Sequence, residues 1–207
     1  MKRRLGLFGG SFNPIHNGHL HLAEAAKNAL RLSGVMLMPA GEAPHKSSDA
    51  YAPAADRLVM CQLAAEKLPW LSVSDLEIRK AGKSYTVDTL RMLTQEHPDT
   101  EWTLLIGSDM LLTFDTWYCW QEILQMASLC AVSREKGDLP QLRAAAASLR
   151  ERAAGANIRV VTAEAVVVSS TQIRTAVQKN ADCSCLLPEN VVQYIQTHGL
   201  YRLPTEQ

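Results

Sequence analysis

The chain of 207 residues is predicted to be α/β: a doubly wound, mostly parallel sheet with helices on both faces. Three observations predict this. Short apolar runs alternate with amphipathic stretches, the βαβα order of such folds. The apolar runs are nearly continuous rather than alternating with polar residues, as expected of strands covered on both faces. And the first run, residues 5–8, passes through Gly9 and Gly10 into an amphipathic stretch from His19 to about Arg31, reading as strand, turn and helix.

In chain order, the apolar runs place strands at 4–8, 34–38, 70–73, 102–106, 128–132 and 158–161. Helical spacing places helices at 18–31, 54–67, 86–96, 121–126, 141–152, 170–178 and 189–197. In 86–96 the apolar residues Val87, Leu90 and Leu93 fall on one helical face. The alanines from Ala144 to Ala147 in the helix 141–152 need no function, since alanine is the best helix former. Residues 165–168 form a further strand-like run ahead of Ser169, Ser170 and Thr171, which have N-cap chemistry. The connection 39–53 carries Pro39, Gly41, Pro44, Ser47, Ser48 and Pro53, and its length marks it as functional or disordered. One domain over 1–207, with a C-terminal helical part from about 170, accommodates these elements. In such folds the ligand crevice lies at the carboxyl ends of the strands, so the residues after Phe8, Met38, Ile106 and Val132 share one rim.

Lys+Arg and Asp+Glu both number 21. Zero net charge argues against bulk attraction to nucleic acid or to acidic membrane, and leaves anion binding to local placement. The basic start Met1-Lys2-Arg3-Arg4 is followed by an apolar stretch too short for an export signal. No segment is long enough to span a bilayer, so a cytoplasmic location is expected. Cys61, Cys119, Cys130, Cys183 and Cys185 are odd in number and scattered, which suggests reduced structural thiols. Cys183-Ser184-Cys185 lacks a second pair at zinc spacing, and no metal site built from protein side chains is expected.

The chemistry is concentrated in Gly9-Gly10-Ser11-Phe12-Asn13-Pro14-Ile15-His16-Asn17-Gly18-His19-Leu20. Glycines at a turn let backbone N–H groups approach a ligand. A helix start adds unpaired N–H groups and the positive end of the dipole. His16 and His19, three residues apart, can face one phosphate there; His21 reads as surface or packing. The pattern is unlike G-x-G-x-x-G, so no nicotinamide-dinucleotide fingerprint is read. A second cluster, Val168-Ser169-Ser170-Thr171-Gln172-Ile173-Arg174, offers hydroxyls, helix N–H groups and a guanidinium to a second anion position, although capping alone would also explain its hydroxyls. Asp109 in Gly107-Ser108-Asp109 reads equally as a ribose ligand or as a helix cap.

These two motifs resemble the H-x-G-H and I-S-S-T-x-[IV]-R signatures of the nucleotidylyltransferase superfamily. Ala43-Pro44-His45-Lys46, Ser84-Tyr85-Thr86, Gly107-Ser108-Asp109 and Trp117 narrow the resemblance to the bacterial nicotinate mononucleotide adenylyltransferases, over residues 5 to about 202. The resemblance implies a Rossmann-like fold and adenylyl transfer from ATP to nicotinate mononucleotide, with Mg²⁺ held mainly through the ATP phosphates. It implies ATP binding by Gly9, Gly10, Ser11, Phe12, His16, Gly18, His19, Gly107, Asp109, Ser169, Ser170, Thr171 and Arg174. It implies catalytic roles for His16, His19, Lys46 and Arg174. For nicotinate mononucleotide it implies Lys46, Ser84, Tyr85, Thr86, Trp117, Tyr118 and Arg134, with Trp117 stacked on the pyridine ring and backbone N–H groups near Thr86 and Tyr118 receiving the carboxylate. Against the family pattern, Ser11 replaces a usual Thr, Asn13 a usual Asp, Ala43 a frequent Pro and Val168 a usual Ile. Arg134-Glu135-Lys136-Gly137 stands where Arg-Pro-Gly is common. The competing readings are an adenylyltransferase for another phosphorylated acceptor such as phosphopantetheine, and a non-catalytic nucleotide-binding regulator on the same fold. A class-I aminoacyl-tRNA synthetase is excluded by length and by the lack of a basic surface. The expected partners are therefore ATP and nicotinate mononucleotide, with no nucleic acid and no membrane; oligomeric state is left open.

Overall fold

A computed structural model describes residues 2–41, 51–80, 82–133, 136–164 and 166–202. The elements run β1 (Arg3–Gly10), α1 (Asn17–Leu30), β2 (Gly34–Pro39), α2 (Ala54–Ala65), β3 (Leu71–Val73), α3 (Leu76–Arg79), α4 (Thr86–Glu96) and β4 (Thr100–Gly107). They continue α5 (Ser108–Leu112), α6 (Trp120–Met126), β5 (Ala127–Ser133), α7 (Leu139–Arg152), β6 (Ile158–Thr162), α8 (Ser170–Gln178) and α9 (Glu189–Thr197). The strands form one six-stranded sheet in the order β3-β2-β1-β4-β5-β6, and every pairing is parallel. The chain steps outward from β1 to β3, then returns to lay β4 on the other side of β1. That reversal opens a crevice beyond the carboxyl ends of β1 and β4.

Strand side chains alternate between two apolar layers, as the two-residue strand period requires. Leu5 and Leu7, Leu104 and Ile106, and Leu129 and Ala131 face one layer, with Leu90, Leu93, Ile123, Leu142 and Ala146 of α4, α6 and α7. Phe8, Leu105, Cys130 and Val132 face the other, with Leu22, Ala26, Met60, Cys61, Ile173, Val191 and Ile195 of α1, α2, α8 and α9. Both faces of the sheet are therefore covered, which is why the strands read as unbroken apolar runs. The five cysteines are free thiols. Burial pushes the Cys130 thiol up to about 12, so it stays protonated as a core residue. Among the described residues, no helix is long and apolar enough to cross a membrane.

Three expectations are corrected. Residues 166–168 carry no strand: Val167 is 85% exposed, while Val168 is buried in the core ahead of α8. Helices α3 and α5 were not expected; at four and five residues they are too short to show a periodicity. Gly9 and Gly10 make no turn: they are the last residues of β1, paired with Met38 and Pro39. The chain turns instead at Phe12, with a left-handed φ of 44°, and at the cis Asn13–Pro14 peptide.

Candidate active site

A cleft of about 680 Å³ lies over the β1–β4 reversal, walled by residues 9–13, the start of α1, the start of α5 and the start of α8. Phe12 accepts its left-handed backbone because its ring is 2% exposed and packs edge-on against Phe8 at 5.5 Å and His19 at 5.2 Å. His16, buried, occupies the N-cap of α1. The His16 and His19 rings stack at 3.7 Å, 25° from parallel, and both line the cleft. His19 Nδ1 accepts the His16 backbone N–H at 3.3 Å. In the neutral ring the proton then sits on Nε2, leaving that nitrogen a donor. Gly18, between the histidines, is a steric requirement: a Cβ there would meet Val168 Cγ1 at 2.7 Å and His16 Nδ1 at 3.1 Å.

The second motif closes onto the first. The Ser169 hydroxyl caps α8 by accepting the Gln172 N–H at 3.1 Å, the bland role anticipated for it. Ser170 Oγ donates to the Pro14 carbonyl at 3.0 Å. Arg174 Nη1 donates to the Asn13 carbonyl at 2.9 Å and Nη2 to Thr171 Oγ1 at 3.1 Å. The bonds to Pro14 and Asn13 join segments more than 150 residues apart in sequence and set Ser169, Ser170, Thr171 and Arg174 in the same cleft lining as the histidines. Part of Arg174 is thus committed to holding the turn that carries His16.

Asn13, where the family pattern has Asp, is 3% exposed. Its Oδ1 accepts the Ala52 N–H at 3.0 Å and the Tyr201 hydroxyl at 2.8 Å. Two donors ask for an acceptor oxygen, and an amide supplies one without burying a charge. Burial raises the Tyr201 phenol pKa, so it remains a donor. Asp109, exposed in the first turn of α5, lines the cleft and does not cap the helix, whose N-cap is Gly107.

The residues expected to take the acceptor stand apart from the cleft lining, at the starts of α4 and α6. Tyr85 is the N-cap of α4 and makes no side-chain cap bond, so its own side chain leaves the first N–H groups of the helix uncapped. The exposed Tyr85 and Tyr118 rings lie 5.0 Å apart, and Trp117 packs on Phe114 at 5.1 Å. Arg91 joins the two helices by bonding both Glu122 oxygens, at 2.7 and 2.6 Å. Ser84 Oγ is buried with no hydrogen-bond partner among the described residues. Lys46, with Ala43, Pro44 and His45, lies outside the described residues, as does Arg134.

Sequence reasoning missed Tyr51, Met110 and Ser108, which line the cleft, and Arg57 beneath it. Arg57 had a usable signal. Arg57, Met60, Cys61 and Ala64 recur at helical spacing and are the buried residues of α2, so its position on the apolar face is legible from the sequence.

This fold and cleft are those of a nucleotide-transferring family. Residues 7–176 match the cytidylyltransferase-like family model, and the chain belongs to that family. Within it, the chain is 43% identical over 205 residues to a probable nicotinate-nucleotide adenylyltransferase of Synechococcus sp. (strain JA-3-3Ab), covering 98% of this chain and 97% of the relative. It is 39% identical over 212 residues to the protein of the same name from Acidithiobacillus ferrooxidans, covering 97% and 96%. The chain is therefore a member of the nicotinate-nucleotide adenylyltransferases. The fold is also that of Plasmodium falciparum nicotinic acid mononucleotide adenylyltransferase complexed with NaAD, at a TM-score of 0.77, 16% identity and coverage of 96% and 97%.

Proposed function

We propose that this chain transfers the adenylyl group of ATP to nicotinate mononucleotide, as a single cytoplasmic domain serving NAD biosynthesis. The acceptor's 5′-phosphate oxygen forms a bond to the α-phosphorus of ATP, the bond from that phosphorus to the β-phosphate bridging oxygen breaks, and pyrophosphate leaves with the electron pair. Nicotinate adenine dinucleotide is the product. The nucleophile is already an anion, so no strong base is needed, and alignment and charge neutralisation carry the rate.

The observation that carries this reading is the meeting of two sequence-distant motifs around one cleft, which His16, His19, Ser170, Thr171 and Arg174 all line. His19, with Nδ1 engaged by its own N-cap backbone, presents Nε2–H to an α-phosphoryl oxygen. The start of α1 adds backbone donors, and the start of α8 with Arg174 holds the β- and γ-phosphates. Asp109 takes the ribose hydroxyls. Lys46 neutralises phosphate charge. Among the described residues no group of three or more His, Cys, Asp or Glu could hold a metal. Mg²⁺ would be held there mostly through phosphate oxygens and water. On the acceptor side, Trp117 stacks on the pyridine ring, backbone N–H groups near Thr86 and Tyr118 take the carboxylate, and Arg134 and Ser84 complete the contacts. Charge-assisted bonds to that carboxylate favour the acid over the amide.

The test is ATP and Mg²⁺ incubated in parallel with nicotinate mononucleotide, nicotinamide mononucleotide or phosphopantetheine, followed by chromatography for dinucleotide and pyrophosphate. Product with nicotinate mononucleotide in clear preference is expected; preference for phosphopantetheine, or no turnover, refutes the proposal. His19→Ala is expected to lower kcat about 10²–10³-fold with the fold intact. Wild-type turnover in that variant removes its assigned role.

A further inference from the structure

Arg57 is 1% exposed, and among the described residues no carboxylate forms an ion pair with it. Its guanidinium is spent on backbone carbonyls from three segments. Nε donates to Ala52 at 3.2 Å. Nη1 donates to Ser11 at 2.7 Å. Nη2 donates to Ala40 at 2.6 Å and to Gly41 at 2.9 Å. The Tyr51 ring, itself part of the cleft wall, lies 5.1 Å from the guanidinium carbon. The Ala52 N–H in turn donates to Asn13 Oδ1. The 11–13 turn is thus tied to residues 51–52 twice over, by Arg57 through Ser11 and by Asn13 directly.

A buried cation is costly to take out of water unless hydrogen bonds satisfy its donors. Four carbonyls in a fixed fork geometry are what a lone lysine cannot satisfy. Its retained positive charge lies directly beneath the turn that faces the phosphates. We propose that Arg57 is a positioning residue for ATP: it sets the 11–13 turn, and through it the His16–His19 wall, against the end of β2 and the start of α2. It touches no reacting atom and acts through the Ser11 and Asn13 segment. The inference rests on the cleft being the ATP site.

The experiment is Arg57→Lys, which keeps the charge and removes the fork. Binding of a non-hydrolysable ATP analogue is measured by calorimetry without acceptor, alongside kcat, KM for each substrate and thermal unfolding. Analogue affinity is expected to fall about 10- to 100-fold and kcat by a similar factor, with the KM for nicotinate mononucleotide unchanged. A folded Arg57→Lys with wild-type analogue affinity and kcat overturns the inference and leaves the proposed function standing. So does parallel loss of affinity for both substrates, which marks a purely structural residue. If the wild-type protein itself does not bind the analogue, the ATP site and this inference fail together, before any substitution. Should Arg57→Lys not fold, hydrogen exchange on the wild type decides. The analogue is expected to slow exchange at Gly41, Ala52 and the start of α2 as well as at 9–13, and protection confined to 9–13 overturns the inference.

Discussion

Glu77 shows how a single side chain sets a pH dependence. Its Oε1 accepts the Thr89 hydroxyl at 2.6 Å, and burial raises its pKa above the ordinary 4.5, against smaller lowering by Thr89 and Lys80. The native carboxyl therefore holds its proton more tightly than the unfolded chain does. Its contribution is fully present below the unfolded value and is lost as pH rises through the native one. Glu77→Gln keeps an acceptor for Thr89 and removes the titration. The melting temperature of the variant relative to wild type is expected to rise between pH 4 and pH 7, as thermal scans across that range will read; a constant gap removes the assignment. At this scale legibility varied with residue type. His16, His19 and Arg174 were readable because imidazoles and guanidinium at a helix start have few bland uses. The Asn13–Tyr201 pair was not, because a bond spanning 188 positions leaves no trace in local spacing. Arg57 lay between: its helical face was written in α2, but arginine is so seldom buried that the pattern reads as solvent-facing.

Among the elements, α4 and α6 are the pair on which the proposed acceptor binding depends. Each has its start at an expected acceptor residue, Tyr85 for α4 and Trp117-Tyr118 ahead of α6. Arg91 bridges them with both Glu122 oxygens and also meets Asp88 at 2.9 Å, which meets Lys80 at 3.1 Å. The groups are partly exposed, so the network adds little to stability, yet its forked geometry fixes the spacing of the two helix starts. Arg91→Met is expected to raise the KM for nicotinate mononucleotide severalfold, leaving the KM for ATP and the melting temperature nearly unchanged. High salt should move the wild type the same way. An effect on ATP instead, seen in initial-rate kinetics, would sink this division of labour. Elements longer than about two turns were legible because their apolar face repeats. The run at 166–168 misled because β-branched composition reports fitness for a strand and not whether the segment pairs.

The whole molecule is organised by the reversal between β1 and β4, and this makes ligand binding a report on the entire fold. The cleft draws its walls from β1, β4 and α8, and the bonds that close it run from Ser170 to Pro14 and from Arg174 to Asn13. The parallel sheet and the rim that carries the cleft were foreseeable from the alternation of elements and the rule that ligands gather at the carboxyl ends of the strands; the order of the strands was not. That α8 would close on the first motif came from the resemblance and not from spacing, since helix α8 carries the same capping chemistry whether or not it faces a ligand. Because the cleft needs both ends of the chain, the unfolded ensemble cannot offer it, and ATP binds the native state alone. A non-hydrolysable ATP analogue at about 100 times its dissociation constant should then add about 2.7 kcal/mol, or roughly 5–10 °C in melting temperature for a chain of this size. Arg174→Ala removes both the proposed phosphate ligand and a tie to the 13–14 turn, so it is expected to lower the unliganded melting temperature and to shrink the analogue's increment as well. Differential scanning calorimetry reads both quantities in one series. An increment that survives intact in Arg174→Ala would mean that the phosphates are held without α8, and that the two motifs meet for packing alone.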